Sequence, residues 1–220
     1  MQSESTYDSK YCYPNTHVLV NKLNITDMEE LERVESDLTS ISYDELQDNP
    51  IKGNFNIAHL KAMHEHIFRD IYDWAGKFRT VDIAKGNTLF CKSSFIEGYL
   101  NDVLKKLENE NFLINADPNA FPEKLAFYFS EINATHPFRD GNGRTQRAFV
   151  EHLGKVAGYE IDFSKATQEQ MTEASIYSWK HGESKFADIF KQAISPIPID
   201  KQLDYAKRIL PPKSEALKIL

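Results

Sequence analysis

The chain has 220 residues, 41% hydrophobic and 27% charged, with a formal charge of −7. That composition excludes a disordered chain, and the length suits one domain with a sizeable core. The acidic balance speaks against a general nucleic-acid binder, whose phosphate contacts need clustered Lys and Arg, and leaves open a local cationic pocket for a nucleotide. No run of about eighteen apolar residues occurs, so no membrane span is expected. The polar opening MQSESTYDSKYCYPN lacks the apolar region of a secretory signal. Cys12 and Cys91 stand far apart, which points to free thiols in a reduced compartment.

In chain order, an irregular start carries Tyr7, Tyr11 and Tyr13. Thr26 with Glu29 three positions on has the form of a capping box, so a helix is expected from Asp27 to about Leu38. Residues 41–55, with Asp48–Asn49–Pro50 and Gly53, read as a loop. Ile57, Leu60, Met63, His64, Ile67, Ile71 and Trp74 recur at helical spacing, with Gly76 as the stop. In RTVDIAKGNTLFC the period changes: β-branched residues around Gly86–Asn87 predict a hairpin, which lies as a flap on a helical body. Helical spacing returns from Ser94 to Asn109. The next helix, Phe121–Thr135, is apolar almost all round and is therefore expected to be central; Pro137 ends it. Further helices are predicted at Asn142–Ala157, stopped by Gly158, at Gln168–Trp179 and at Ser184–Ile194. The last stretch, 196–220, contains Pro196, Pro198, Pro211 and Pro212 and reads as a linker or tail. The expected fold is all-α, a helical bundle with one β-hairpin flap, with a single domain over 1–195.

Chemistry concentrates in HPFRDGNGRTQR, from His136 to Arg147. A buried helix delivers His136 where Pro137 forces a turn. Gly141 and Gly143 allow φ > 0 and close approach to a ligand, and their N–H groups at the start of a helix make an anion site. Arg144 and Arg147, three apart, share a helix face beside that loop. Two guanidinium groups next to an amide nest suit a polyphosphate. Asp140 is the loop's carboxylate, and beside phosphates its natural partner is Mg²⁺. Asn142 can donate to a phosphate oxygen, and His136 is the motif's base at neutral pH. A base, a metal carboxylate, an anion nest and two arginines are the parts of nucleotidyl or phosphoryl transfer to a hydroxyl.

This stretch matches the Fic-family motif H-P-F-x-D/E-G-N-G-R-x-x-R at every specified position, and DIYDWAGKFRTVDIAKGNTLFC resembles the helix end and flap that precede it in that family. The resemblance covers roughly residues 10–195, a typical single-domain span. It implies a protein adenylyltransferase: AMP passes from ATP to a Tyr, Thr or Ser hydroxyl of a target protein. It assigns His136 as the base and Asp140 to Mg²⁺. Gly141, Asn142 and Gly143 go to the α-phosphate, Arg144 to the β- and γ-phosphates, and Arg147 to the γ-phosphate. Phe138 anchors the loop. Val81, Ile83, Leu89 and Phe90 of the flap hold the target as an added strand; Lys85 reaches phosphate, and Tyr177 or Trp179 walls the adenine.

Many relatives are inhibited by a helix bearing Ser or Thr, then Glu four residues on, then Gly or Asn, whose glutamate pairs with the second motif arginine, here Arg147. Thr26–Glu30 departs from that pattern at Leu31. The resemblance is therefore to the class inhibited by a separate small antitoxin, among bacterial toxins and type IV secretion effectors. It implies a bacterial cytoplasmic protein or a translocated one. By analogy the target is a topoisomerase subunit or a small GTPase. Transfer of UMP or phosphocholine, or a non-catalytic nucleotide-binding module, are the alternatives. His64–Glu65–His66 lacks metal-binding spacing and reads as core or surface, as do His17, His59, His152 and His181.

Overall fold

The computed structural model describes residues 10–86, 88–212 and 214–220. Tyr7 and Asn87 lie outside them. Eight α-helices among the described residues form the body: α1 (Met28–Asp48), α2 (Ile57–Phe68), α3 (Ile96–Asn109), α4 (Phe121–Thr135), α5 (Asn142–Ala157), α6 (Gln168–His181), α7 (Ser184–Ala193) and α8 (Ile199–Ile209). Among the described residues no helix is long and apolar enough to cross a membrane.

As its all-round apolar sequence predicts, α4 is central and packs against α3, α5, α6 and α7. Phe129 meets Phe186 and Phe190 edge-on, at centroid distances of 4.8 and 5.5 Å. Burying each such ring contributes about 1.5–3 kcal/mol. On the other side α5 packs against α1, α2 and α8. Gly158, at φ 99°, closes α5 through N–H bonds to Gly154 and Lys155 carbonyls, the left-handed cap that glycine permits.

The boundaries depart from expectation in three places. Asp27, not Thr26, caps α1 by accepting the Glu30 N–H at 2.9 Å, and the helix runs on to Asp48. Its buried stripe of Leu31, Glu35, Thr39, Ser42 and Leu46 is mostly polar, which hid the continuation from an apolar-period reading. Then α2 stops at Phe68, and Ile71, Tyr72 and Trp74 follow it outside the helix, with Ile71 and Tyr72 buried and Trp74 half-buried; Tyr72 and Trp74 stack at 4.2 Å.

The flap hairpin is present: β1 (Ala84–Lys85) pairs antiparallel with β2 (Thr88–Leu89). A second antiparallel pair joins β3 (Tyr159–Ile161) to β4 (Ile194–Pro196). Its partners lie more than thirty residues apart, so no local turn signal announces it.

The expectation of a linker over 196–220 is corrected. That segment builds α8, which buries Gln202, Tyr205, Ala206 and Ile209 at helical spacing. Leu210 and Ala216 are buried as well. Gln202 donates to the Val156 carbonyl at 2.9 Å, near the end of α5. The prolines flank the helix, Pro198 before it and Pro211 after it, and so punctuate it without breaking it.

Candidate active site

The site forms where α4 ends and α5 begins. His136 caps α4 in the left-handed region, φ 44° and ψ 61°, with its N–H on the Ile132 carbonyl, a strained conformation for a side-chain-bearing residue. Gly141, at φ 76°, caps the start of α5. A side chain there would be strained twice over, because a Cβ would lie 2.2 Å from the Phe68 ring. Gly143 is different: it lies inside the first turn of α5 without positive φ. Its lack of a side chain leaves the helix start open instead of permitting a special turn.

The loop between these caps is fastened from within. Asn142 accepts the Phe138 N–H and donates to the Phe138 carbonyl, each at 2.9 Å. The Phe138 ring is buried and stacks on His64 at 3.8 Å. His64 accepts the Gly76 N–H on Nδ1 at 2.9 Å, so its Nε2 carries the hydrogen and donates to the Asp140 carbonyl at 3.1 Å. Burial pushes His64 down to about 3, so it stays a neutral support for the loop. Its full burial gives the core position expected of it.

A cavity of about 360 Å³ opens between α1 and the start of α5, lined among others by Glu35, Thr39, Tyr72, Asp140, Arg144 and Arg147. Arg144 donates from Nη1 to Thr39 Oγ1 at 2.6 Å and pairs through Nη2 with Glu35. Glu35 also accepts from the Tyr72 hydroxyl. Burial and then the nearby Asp140 carboxylate push Glu35 up, against the pull of Arg144 and Tyr72. Arg147 lines the same cavity and has no ion pair among the described residues. Asp140 accepts the Gly141 N–H on Oδ1 at 2.5 Å.

The His136 ring lies under the flap: Phe90 stacks on it at 3.9 Å with 15° between planes. Nδ1 faces the Asn133 carbonyl at 3.3 Å. Burial pushes His136 down to about 3, helped by the Arg79 and Lys85 charges. Lys85 is exposed at the tip of the flap and is not part of the Arg144–Arg147 cavity lining. Val81 and Ile83 are half-buried at the flap base, whereas Leu89 is 69% exposed. A second cavity of about 270 Å³ lies beside the flap, between Leu89, Phe90, Cys91, Tyr99, Trp179 and the last turn of α4. Tyr177 instead contacts His181, its ring centroid 4.8 Å from the imidazole.

The structure thus brings together His136, Asp140, Gly141, Asn142, Gly143, Arg144 and Arg147, with Phe90 of the flap. Motif reading missed Glu35, Thr39 and Arg79. The one sequence signal for Glu35 is a carboxylate standing in the inward stripe of α1, four residues after Leu31 and four before Thr39.

Residues 54–153 match the model of the Fic/DOC family. The sequence is 38% identical over 199 residues, 90% of this chain and 42% of the relative, to protein adenylyltransferase VbhT of Bartonella schoenbuchensis. It is 39% identical to Probable protein adenylyltransferase y4lH of Sinorhizobium fredii, over 76% of this chain and 86% of that one. The chain therefore spans less than half the length of VbhT and most of the length of the shorter relative. Among solved structures, the N-terminal Fic domain of a VirB-translocated Bep effector from Bartonella quintana, with bound ADP, aligns at TM-score 0.81 and 32% identity, covering 88% of this chain and 97% of that one. BepC of Bartonella tribocorum, with bound AMPPNP, aligns at TM-score 0.79 and 29% identity, over 86% and 97% of the two chains.

Proposed function

The chain belongs to the Fic/DOC family, and from that premise we propose that it transfers AMP from ATP to a hydroxyl side chain of a target protein. The observation that carries the reading is one loop holding a half-buried histidine under the flap at one end and an arginine-lined cavity at the other. Related domains have been solved with ADP and AMPPNP bound, which supports a nucleotide here.

The triphosphate lies along the start of α5. The first N–H groups of that helix meet the α-phosphate, and Arg144 and Arg147 take the outer phosphates. Arg144 exchanges part of its hold on Glu35 and Thr39 for phosphate oxygens. The adenosine end extends toward the second cavity, where Trp179 and Tyr99 offer aromatic faces. Asp140 fits a Mg²⁺ held through few protein ligands: one carboxylate oxygen is tied to Gly141, the other is available, and no cluster of three or more His, Cys, Asp or Glu side chains forms a cage among the described residues. When bound, Mg²⁺ supplies charge neutralisation along the phosphates.

A hydrogen on Nδ1 of His136, shared with the Asn133 carbonyl, leaves Nε2 as the basic nitrogen. The flap aligns the target hydroxyl against it. The hydroxyl proton passes to Nε2, the oxygen bonds to the α-phosphorus, and the bond from that phosphorus to the bridging oxygen breaks, releasing pyrophosphate. The negative charge of the bound nucleotide raises the basicity of His136 above its value in the empty site.

Arg147, lacking an ion pair at the cavity wall, offers itself to a carboxylate on an inhibitory helix from a small antitoxin. The translocated relatives support an effector role. The test is incubation with ATP radiolabelled at the α-phosphate, Mg²⁺ and cell lysate, alongside His136→Ala. Label on a protein band with wild type and none with the variant is expected. Label that appears equally from ATP marked at the γ-phosphate would overturn AMP transfer. Mass spectrometry of the band separates AMP from UMP or phosphocholine.

A further inference from the structure

Arg79 is the largest fully buried side chain among the described residues, its guanidinium closed off from solvent. It lies 57 residues before His136 and belongs to none of the motif positions. All its side-chain hydrogen bonds go to backbone carbonyls. Nε donates to His136 at 2.8 Å, Nη1 to Val81 at 2.7 Å, and Nη2 to Thr135 at 3.1 Å and to Cys91. The Arg79 N–H donates to the Pro137 carbonyl at 2.9 Å. Its nearest carboxylate contact, Asp82 Oδ1, is 4.0 Å away.

Those carbonyls fall into two sets. Val81 and Cys91 are the two feet of the flap. Thr135 and His136 end α4, where the last carbonyls lack helical partners and a cation is favoured. One rigid guanidinium fork therefore joins the flap to the backbone of the base. The joint is made where that backbone is strained, at the left-handed His136. The Cys91 N–H to the Ala134 carbonyl, at 3.2 Å, is a second stitch between the same segments. From the far side of the fork, Phe90 lies on the His136 ring.

We propose that Arg79 is a positioning residue that fixes the flap and His136 in one register, so that the surface aligning the target hydroxyl and the nitrogen receiving its proton move as one body. It touches neither nucleotide nor target. It acts through the carbonyls of Val81 and Cys91 on one side and of Thr135 and His136 on the other. A lysine can supply the charge and three donors, but all on one nitrogen, which cannot span both sets as the three nitrogens of the fork do. The proposal deepens the AMP-transfer reading and rests on it.

The experiment compares wild type, Arg79→Lys, Phe90→Ala and the double variant in α-labelled ATP transfer to lysate protein, with labelling rate measured against ATP concentration. For Arg79→Lys the expected result is a maximal rate lower by about 100-fold, the cost of an ångström-scale misplacement, with half-saturating ATP unchanged within about twofold. The double variant should lose far less than the product of the two single losses, because both act on the same register. A wild-type maximal rate for Arg79→Lys, a change confined to half-saturating ATP, or full multiplicativity would each overturn the proposal. Amide hydrogen exchange on wild type tests the coupling of the two segments independently of activity, and the same exchange on Arg79→Lys assigns that coupling to Arg79 if the variant's segments open separately. Segments 79–91 and 134–138 should open with one common free energy, and two separate opening energies would overturn the tether. If wild type transfers no label, the functional reading fails while the exchange result still judges Arg79.

Discussion

At the scale of single residues, Asn142 carries two roles that its chemistry allows and its geometry ranks. Its amide is nearly buried and spends both its oxygen and its nitrogen on Phe138. Removing it strands a buried N–H and a buried carbonyl, each costing about 1–3 kcal/mol. Asn142→Ala should therefore lower unfolding free energy by about 2–6 kcal/mol in urea titration without nucleotide. Unchanged stability, with loss only of ATP binding, would mean that the side chain serves the ligand and not the loop. Asn142→Asp should also be destabilised, since its second oxygen would face the Phe138 carbonyl where a donor now sits. Glu35 is ranked by geometry in the same way. With Thr39 it keeps Arg144 against the cavity wall before any phosphate arrives. A guanidinium already aimed loses less freedom on binding than one recruited from solvent.

At the scale of elements, what could be read locally was read well. The helices α4, α5 and α7 follow from apolar spacing, Pro137 and Gly158, and the flap follows from a change of period around Gly86. The candidate site's core was legible for the same reason: its histidine, carboxylate, glycines and arginines fall within twelve consecutive positions. What stayed hidden depends on partners distant in the chain. Arg144 meets Glu35 across 109 positions, and β3 meets β4 with α6 and α7 between them. The tail was hidden by its prolines, although Tyr205, Ala206 and Ile209 keep a helical stripe between them. That stripe makes a prediction. Ile209 is fully buried, so Ile209→Ala should cost about 2–5 kcal/mol in chemical denaturation, the usual penalty for truncating a core isoleucine. A linker residue would cost nothing measurable, and a null result would return 196–220 to that status.

At the scale of the whole molecule, buried histidines tie stability to pH. His59, His64 and His152 are all inside the core, and burial pushes them down to about 4, 3 and 3. In the unfolded chain each titrates near about 6.5. The unfolded state therefore binds more protons between that value and the folded ones. The stability that these groups contribute is complete above about 6.5 and is lost as pH falls toward the folded values. Moving from pH 7.5 to 5.5 should remove about 1.4 kcal/mol for each, about 4 kcal/mol for the three. Glu35 and Glu151, both raised chiefly by burial, act in the opposite sense, since their folded forms hold protons longer than their unfolded ones as pH rises. The histidine part is isolated by His152→Gln. That variant cannot titrate and keeps an acceptor for the Tyr205 hydroxyl, which now meets His152 Nδ1. Its pH-independent packing cost cancels when the two pH values are compared. The variant should lose about 1.4 kcal/mol less than wild type over that interval in urea titration. Parallel losses would show that His152 takes up its proton in the folded core as readily as in the unfolded chain.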